Sequence, residues 1–100
     1  MPNLIPSKKF LHDIEALQFD MPLRKKLAKA LQFLENNPLH PGLNLERIIN
    51  DPSAWSLRID RRYRLAFEPR QYLSSGNPDW TGDILLLRCL DHDDLYKSPR

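Results

Sequence analysis

The sequence predicts an α+β fold, with an N-terminal antiparallel helical hairpin packed on one face of a three- to four-stranded antiparallel sheet. Apolar residues recur at helical spacing through residues 7–37, whereas from residue 54 onward they alternate with polar residues or form a short continuous run. The chain has 100 residues, of which 41% are hydrophobic and 28% are charged, a composition typical of one globular domain. We therefore expect a single domain over residues 1–100.

Two helices are predicted in the first part of the chain. Ser7 is a candidate N-cap, and the apolar residues after it are spaced for one helix face: Phe10, Leu11, Ile14 and Leu17. Pro22 suits the first position of a second helix, because an N–H there would have no helical partner. The apolar stripe of this helix consists of Leu23, Leu27, Ala30, Leu31 and Leu34, and Asn36-Asn37-Pro38 ends it. The short connection predicts that the helices run antiparallel.

A β-hairpin is predicted from residue 54 to residue 68. Apolar side chains alternate with polar ones on two successive segments: Trp55, Leu57 and Ile59, then Tyr63, Leu65 and Phe67. The register that sets apolar against apolar pairs Ile59 with Tyr63, Leu57 with Leu65, and Trp55 with Phe67, around a loop of Asp60-Arg61-Arg62. A shift of one residue would set apolar against charged side chains along the whole hairpin, so this register is favoured.

The remaining segments complete the predicted sheet. Glu46-Arg47-Ile48-Ile49 forms either a short strand or a single turn. Residues 69–82 form a long loop, and the almost continuously apolar run from Ile84 to Leu90 is typical of a strand covered on both faces. Lys97–Arg100 is a tail. Because the helices cover one face of the sheet, we expect the other face to be free to carry function.

Composition excludes several classes of protein. Cys89 is the only cysteine, which excludes an intrachain disulfide and a multi-cysteine zinc site and favours a reducing compartment. The three glycines form no phosphate-binding loop. The longest apolar run, Ile84–Leu87, is too short to cross a bilayer. The N-terminus lacks a signal-peptide pattern, so we expect a cytoplasmic protein. We also expect no membrane partner, no metal and no cofactor.

Two arginines face each other in the predicted hairpin. Arg58 lies directly opposite Arg64, on the face away from the apolar side chains. Like charges at opposing positions repel, so the pair needs an anion or a carboxylate between its members. One interpretation is a phosphate-binding site; the other is that both side chains are solvated or neutralised by Glu68 or Asp60. The net charge of +2 permits a nucleic-acid partner without requiring one.

Three further residues are candidates for chemistry. His92 lies where the buried strand meets solvent, and an imidazole there can exchange a proton near neutral pH. The alternative is that His92 is a capping or turn residue among the neighbouring aspartates. Glu46 is either a surface charge or a general base. Tyr96 either stacks on a nucleic-acid base or packs on the sheet.

Five segments carry a family resemblance: Asn37-Pro38-Leu39-His40-Pro41-Gly42-Leu43, Glu46-Arg47-Ile48, Trp55-Ser56-Leu57-Arg58-Ile59, Tyr63-Arg64-Leu65 and His92-Asp93-Asp94-Leu95-Tyr96. In residue type and order, these segments resemble the RelE/ParE superfamily, the toxins of type II toxin–antitoxin modules. The resemblance extends over nearly the whole chain, and its most specific part is the Trp-x-x-Arg-Ile and Tyr-Arg-Leu pair. It implies a microbial RNase fold, with two helices on a twisted antiparallel sheet.

The resemblance also implies a function, namely ribosome-dependent cleavage of mRNA by a toxin that a small antitoxin neutralises. In the YoeB-like branch, the positions of Glu46, Arg64 and His92 hold a general base, a phosphate-stabilising arginine and a general acid. Arg58 matches a neighbouring arginine, and Tyr96 resembles a C-terminal tyrosine that contributes in the RelE-like branch. We therefore expect an endoribonuclease whose partners are its antitoxin, the ribosome and mRNA.

The remaining side chains that we assign to RNA binding are Arg61, Arg62, Arg88, Tyr96 and Lys97. Two other functions remain open. One is a ParE-like inhibitor of DNA gyrase, which would need no acid and no base. The other is an inactive relative that only binds its antitoxin, since acidic residues next to His92 would repel a phosphate.

Overall fold

The computed structural model describes residues 2–100, which form two layers of helices around one sheet. The strands are β1 (Leu4–Pro6), β2 (Glu46–Ile48), β3 (Asp51–Arg58), β4 (Tyr63–Pro69) and β5 (Ile84–Asp91), and the α-helices are α1 (Lys8–Ala16), α2 (Met21–Asn36) and α3 (His92–Lys97). A single 3-10 turn, Pro41–Leu43, precedes β2. None of the helices in residues 2–100 is long and apolar enough to span a membrane.

The sheet has five strands in the order β1-β5-β4-β3-β2. All neighbouring strands are antiparallel except β1, which pairs with β5 in parallel at the edge. The α+β fold class is therefore confirmed, but the expected number of three to four strands was too small. The missed strand, β1, has only three residues, too few to show an alternating pattern.

The register of the β3–β4 hairpin is confirmed. Trp55 pairs with Phe67, Leu57 pairs with Leu65, and the arginines at positions 58 and 64 stand opposite each other. The predicted third apolar pair is reduced to one backbone hydrogen bond, from the N–H of Ile59 to the carbonyl oxygen of Tyr63 (3.1 Å).

The caps of the two N-terminal helices follow from their sequence. The Ser7 hydroxyl accepts a hydrogen bond from the N–H of Phe10 (3.0 Å), and the Asp20 carboxylate accepts one from the N–H of Leu23 (3.1 Å). Because Asp20 is the N-cap, α2 begins at Met21, so Pro22 occupies the second helical position and not the first. Because N–H groups in the first helical turn have no intrahelical partner, proline at the second position loses no helical hydrogen bond.

The main core lies between the helical hairpin and one face of the sheet. The helices contribute Phe10, Leu27, Ala30 and Leu34, and the sheet contributes Leu57, Leu65, Phe67, Ile84, Leu86 and Cys89. Trp55 packs against this cluster and meets Trp80 edge-to-face, with 5.4 Å between the ring centroids. Trp80 belongs to the long loop between β4 and β5, which thereby closes one end of the core.

The opposite face of the sheet is partly covered, contrary to expectation. β5 ends at Asp91, and the residues after it form α3. Leu95 of α3 packs on the sheet, and its side chain is fully buried. Leu95 joins a second buried cluster with Ile48, Ala54, Ala66 and Leu87. His92 is therefore the first residue of a helix, and only the part of this face around it is open to solvent.

Arg88 does not lie on the RNA-binding surface that we predicted for it. Its guanidinium forms a two-point salt bridge with Asp13 of α1, from Nε (2.8 Å) and Nη2 (3.0 Å). The same carboxylate accepts a hydrogen bond from the backbone N–H of Cys89 (3.0 Å) and is buried. The Arg88–Asp13 salt bridge thus links α1 to β5. The sequence could not indicate this, because its partner lies 75 residues away.

The predicted C-terminal tail is held on the sheet by its last side chain. The Arg100 guanidinium bonds to Asp51 and Ser53 of β3 and to Glu68 of β4. This group of contacts, here called the Arg100 clamp, lowers the pKa of Asp51, chiefly through the hydrogen bond from Arg100. Burial acts to raise the pKa of Glu68, but the hydrogen bonds from Arg100 and Ser53 outweigh it and lower that pKa.

We expect Arg100→Ala to reduce the free energy of unfolding by about 1–2 kcal/mol at neutral pH, because it removes a multiply bonded ion pair on half-buried carboxylates. Both carboxyl pKa values are lowered by folding, so this contribution is complete above the ordinary values of 3.8 and 4.5 and is lost as the pH falls below them. Urea unfolding at several pH values measures it. Arg70→Ala, which removes the more exposed partner of Glu68, is the control and should cost less than about 0.5 kcal/mol.

Candidate active site

The predicted site residues come from three neighbouring strands and from α3. Glu46 of β2 pairs with Ser56 of β3, and two residues further along β3, Arg58 pairs with Arg64 of β4. Residues paired in this way point to the same face of a sheet, and alternate residues of one strand do so too. Glu46, Arg58 and Arg64 therefore share the sheet face that α3 partly covers.

The arginine pair is held by a backbone oxygen in the hairpin loop. The carbonyl oxygen of Asp60 accepts hydrogen bonds from Nη1 of Arg64 (2.6 Å) and from Nε of Arg58 (3.3 Å). Arg64 also donates to the carbonyl oxygen of Tyr63 (3.1 Å). These bonds orient both guanidiniums while leaving further N–H groups of each for another acceptor.

The Asp60 side chain stabilises the same loop. Its carboxylate accepts hydrogen bonds from the backbone N–H groups of Tyr63 (2.7 Å) and Arg62 (2.8 Å). Burial acts to raise the pKa of Asp60, but these two bonds and the positive charges of Lys26 and Arg64 together lower it. An ionised Asp60 offsets part of the repulsion between the paired arginines, as one of the two sequence interpretations proposed.

An open cleft of about 450 Å³, here called the arginine cleft, lies beside Arg64. Its lining residues are Arg61, Arg62, Arg64, Asp91, His92 and Asp93. The cleft thus brings His92 next to the arginine of the predicted phosphate site. Three guanidiniums face two carboxylates, so a phosphate meets a surplus of positive charge there.

The acidic residues around His92 have structural roles. Asp91 is the N-cap of α3, accepting a hydrogen bond from the N–H of Asp93 (3.0 Å), and it also accepts one from Nε of Arg62 (2.7 Å). The bond from Arg62 is the main cause of the lowered pKa of Asp91. The backbone N–H of His92 donates to the carbonyl oxygen of Arg62 (2.8 Å). These contacts tie the start of α3 to the hairpin loop and fix His92 beside it.

His92 is placed to exchange a proton with a molecule in the arginine cleft. Its side chain is 46% exposed, and its Nδ1 lies 3.4 Å from Oδ1 of Asp93. The ring packs edge-to-face on Tyr96, one helical turn further along, with 4.5 Å between the centroids. The imidazole is thus oriented on one side and open to solvent on the other.

Tyr96 links His92 to Glu46, a connection that the sequence did not reveal. Its hydroxyl donates to Oε2 of Glu46 (3.0 Å) and lies 3.0 Å from the hydroxyl of Ser56. Ser56 is 1% exposed and so has no access to water as an alternative partner. The sequence alone does not indicate that a serine within a strand contacts the site. The pairing of Ser56 with Glu46 and the position of α3 above it bring its hydroxyl to Tyr96.

A second cleft, of about 320 Å³, lies on the other side of His92. It is lined by Glu46, Arg47, Ile49, Asn50, His92 and Tyr96. His92 borders both clefts, so it adjoins the cleft of Glu46 and the cleft of Arg64. Three of the four predicted catalytic residues, Glu46, Arg64 and His92, therefore border two adjoining clefts and do not share one cavity.

The other predicted residues are distributed around this site. Arg58 borders a third cleft, together with Lys26 and Lys29 of α2. Arg61 is exposed at the hairpin loop, and Lys97 is exposed in the last turn of α3. Three of the predicted arginines, Arg61, Arg62 and Arg64, therefore line the arginine cleft. Lys97 lies at the C-terminal end of α3, away from this cleft.

The described residues contain no metal-binding cluster and no reactive thiol. Within residues 2–100, no three His, Cys, Asp or Glu side chains are grouped so that they could hold a metal ion. Cys89 is 2% exposed in the main core, and its burial raises the pKa of the thiol to about 12. A neutral, buried thiol is not a nucleophile.

The fold is similar to those of solved toxins named YoeB/ParE and YafQ. No protein-family model matches the sequence, and no curated protein matches it. Solved structures do match, over nearly the full length of both chains. The resemblance drawn from the motifs is therefore confirmed at the level of the fold.

Three of these structures serve as examples. A YoeB/ParE toxin from Agrobacterium tumefaciens is 18% identical, with a TM-score of 0.70 over 90% of this chain and 98% of the other. YafQ from Escherichia coli is 14% identical, with a TM-score of 0.70 over 95% and 98%. YoeB in the YoeB–YefM toxin–antitoxin complex from Staphylococcus aureus is 22% identical, with a TM-score of 0.67 over 92% and 98%.

Proposed function

We propose that this protein is the toxin of a type II toxin–antitoxin pair and that it cleaves mRNA on the ribosome. The observation that carries the proposal is that His92 borders both the cleft of Arg64 and the cleft of Glu46. A phosphate-binding arginine, a candidate acid and a candidate base are the groups that phosphodiester cleavage needs.

The proposed reaction is attack of a ribose 2′-hydroxyl on the adjoining 3′-phosphate. Glu46 takes the proton of the 2′-hydroxyl while the bond from O2′ to phosphorus forms. His92 gives a proton to the 5′-oxygen as its bond to phosphorus breaks. Arg64, assisted by Arg58, stabilises the charge that develops on the phosphate oxygens. The products are a 2′,3′-cyclic phosphate and a free 5′-hydroxyl, so atoms and protons balance.

Tyr96 is a positioning residue in this proposal, because its hydroxyl holds the Glu46 carboxylate. We expect Tyr96→Phe to slow cleavage about tenfold, the value of one hydrogen bond to a charged group. Single-turnover cleavage of ribosome-bound mRNA measures the effect. Tyr72→Phe changes a tyrosine in the β4–β5 loop that is 48% exposed and should leave the rate unchanged. Equal rates for both variants and the parent would show that the hydroxyl of Tyr96 positions nothing.

An antitoxin is the proposed protein partner, and the cytoplasm is the proposed location. Two of the similar structures are toxins solved with a second protein, DinJ with YafQ and YefM with YoeB. The apolar groove between α1, α2 and β1 is a surface that such a partner can cover. Its lining includes Phe10, Leu11, Ile14, Leu27 and Leu31.

The test is translation in vitro with the purified protein, followed by primer extension on the mRNA. The proposal predicts new 3′ ends that appear only on ribosome-bound message and carry a cyclic phosphate. Intact mRNA together with inhibition of DNA supercoiling by gyrase would instead support a ParE-like inhibitor. Intact mRNA without gyrase inhibition would support an inactive relative that binds its antitoxin only.

A further inference from the structure

The two ring nitrogens of His92 have different surroundings. Nδ1 lies 3.4 Å from Oδ1 of Asp93, the next residue of α3. Among the hydrogen bonds formed within residues 2–100, none involves Nε2 of His92. In a histidine, the bond made by one ring nitrogen determines where the proton of the ring is carried. Nε2 is therefore the nitrogen that remains for a substrate.

The contact between Asp93 and His92 is supported by its neighbours. The backbone N–H of Asp93 donates to Oδ1 of Asp91 (3.0 Å), and Asp91 accepts a second bond from Nε of Arg62 (2.7 Å). The Tyr96 ring packs edge-to-face on the imidazole. The backbone of Asp93 and the ring of His92 are thus both fixed, and a small rotation of the Asp93 side chain shortens the contact when the imidazole is charged.

Most of the charge around His92 opposes a protonated imidazole, yet a general acid must carry its proton before it can donate it. Among the carboxylates, Asp91 is bound by Arg62 and Glu46 is bound by the hydroxyl of Tyr96. Within residues 2–100, the ion pair that Asp93 forms is the one with His92. The charged residues that border the two clefts of His92 are Arg61, Arg62, Arg64, Asp91, Asp93, Glu46 and Arg47.

We propose that Asp93 is a positioning residue for the general acid, with its carboxylate bound to the Nδ1–H of His92. The inference rests on the proposed function. As the bond from phosphorus to the 5′-oxygen breaks, the proton on Nε2 passes to that oxygen. Nδ1 keeps its proton and its bond to Asp93, so the ring is left neutral. The effect is modest, because the Asp93 side chain is 87% exposed and solvent screens its charge.

The first experiment measures kcat and KM on ribosome-bound mRNA for the parent, Asp93→Ala and Asp94→Ala. Asp94 is an exposed carboxylate in the same helical turn and borders neither cleft. We expect Asp93→Ala to lower kcat about 5- to 10-fold, the value of a solvent-screened hydrogen bond to a charged group. Its KM should not rise, because a negative charge leaves the phosphate-binding cleft.

Asp94→Ala, which removes the same charge from the same turn, should retain the parent kcat. Asp93→Asn keeps an oxygen that accepts from Nδ1 but loses the charge, and its kcat should be intermediate. Equal kcat values for Asp93→Ala and the parent, or equal losses in Asp93→Ala and Asp94→Ala, would overturn the proposal.

A second experiment asks whether Asp93 acts through His92. With sulfur in place of the 5′-oxygen, the leaving group needs no proton, so Asp93→Ala should cleave as fast as the parent. On the ordinary substrate, the double variant with His92→Gln should be no slower than His92→Gln alone. A loss that persists with the sulfur substrate, or that adds in full to the loss from His92→Gln, would show that Asp93 does not serve the acid.

NMR of the imidazole nitrogens provides a readout that does not depend on activity. With the ring neutral, the parent and Asp93→Asn should carry the proton of His92 on Nδ1, and Asp93→Ala should shift it to Nε2, the form that an unpaired histidine favours in water. The same tautomer in the parent and Asp93→Ala would overturn the contact. If the NMR spectra confirm the contact but the parent cleaves no mRNA, the proposed function itself fails.

Discussion

Arg64→Ala should slow mRNA cleavage by about 10²–10³-fold, which corresponds to about 3–4 kcal/mol of transition-state stabilisation. Arg64 borders the arginine cleft, and its guanidinium is already aimed by two backbone oxygens, Asp60 O and Tyr63 O. A charge oriented before the reaction stabilises the transition state without reorganisation. Alanine removes both the charge and the fork of donors, so the loss should appear in kcat.

Two further variants separate charge from general damage. Arg64→Lys keeps the positive charge but not the planar fork, and we expect an intermediate rate. Arg70→Ala removes another β4-end arginine, one that is bound to Glu68 outside both clefts, and should leave the rate within about threefold of the parent. If Arg64→Ala and Arg70→Ala are equally active, Arg64 does not stabilise the phosphate.

His92→Gln should slow cleavage by about 10²–10⁴-fold, the usual contribution of a general acid. Glutamine can retain a hydrogen bond in the cleft but cannot deliver a proton to the leaving oxygen. The backbone contact from residue 92 to Arg62 and the Asp91 cap do not depend on the imidazole. We therefore expect α3 to remain folded, with a melting temperature close to that of the parent.

A modified substrate tests the role of His92 directly. When the 5′-oxygen of the scissile phosphate is replaced by sulfur, the leaving group is a thiolate, which needs no proton. His92→Gln should then cleave almost as fast as the parent, whereas Arg64→Ala should stay slow. If the sulfur substrate does not rescue His92→Gln, His92 is not the acid, and its loss acts through the packing of Tyr96.

The parts of the fold that were predictable are those set by local pattern. In the β3–β4 hairpin, alternation alone determines the register, because a one-residue slip would bury Arg58 and Arg64 and expose Leu57 and Leu65. The helical hairpin was predictable for a similar reason, since Ser7 and Asn36-Asn37-Pro38 mark its limits next to a clear apolar stripe. The position of the arginine pair followed from the hairpin register.

The parts that were not predictable depend on distant partners. β1 is a strand only because β5 lies beside it, and Arg88 lies away from the predicted RNA-binding face because it pairs with Asp13 of α1. The sequence did not predict α3, for a different reason. Asp91 continues the strand in pattern yet also caps a helix, and the acidic residues after it suit a first helical turn. The hydrogen bonds of Tyr96 to Ser56 and Glu46 follow from that helix.

The carboxylate of Asp13 also limits the pairing of a further strand with β5. Beyond β1, the exposed edge of β5 would offer unpaired backbone groups to a strand of another molecule. Here Ser7 donates to the carbonyl oxygens of Leu86 and Leu87, and Asp13 accepts the N–H of Cys89. Ser7 and Asp13 thus occupy backbone groups of β5 that an added strand would need. Association of two molecules by strand addition is therefore disfavoured along this part of β5.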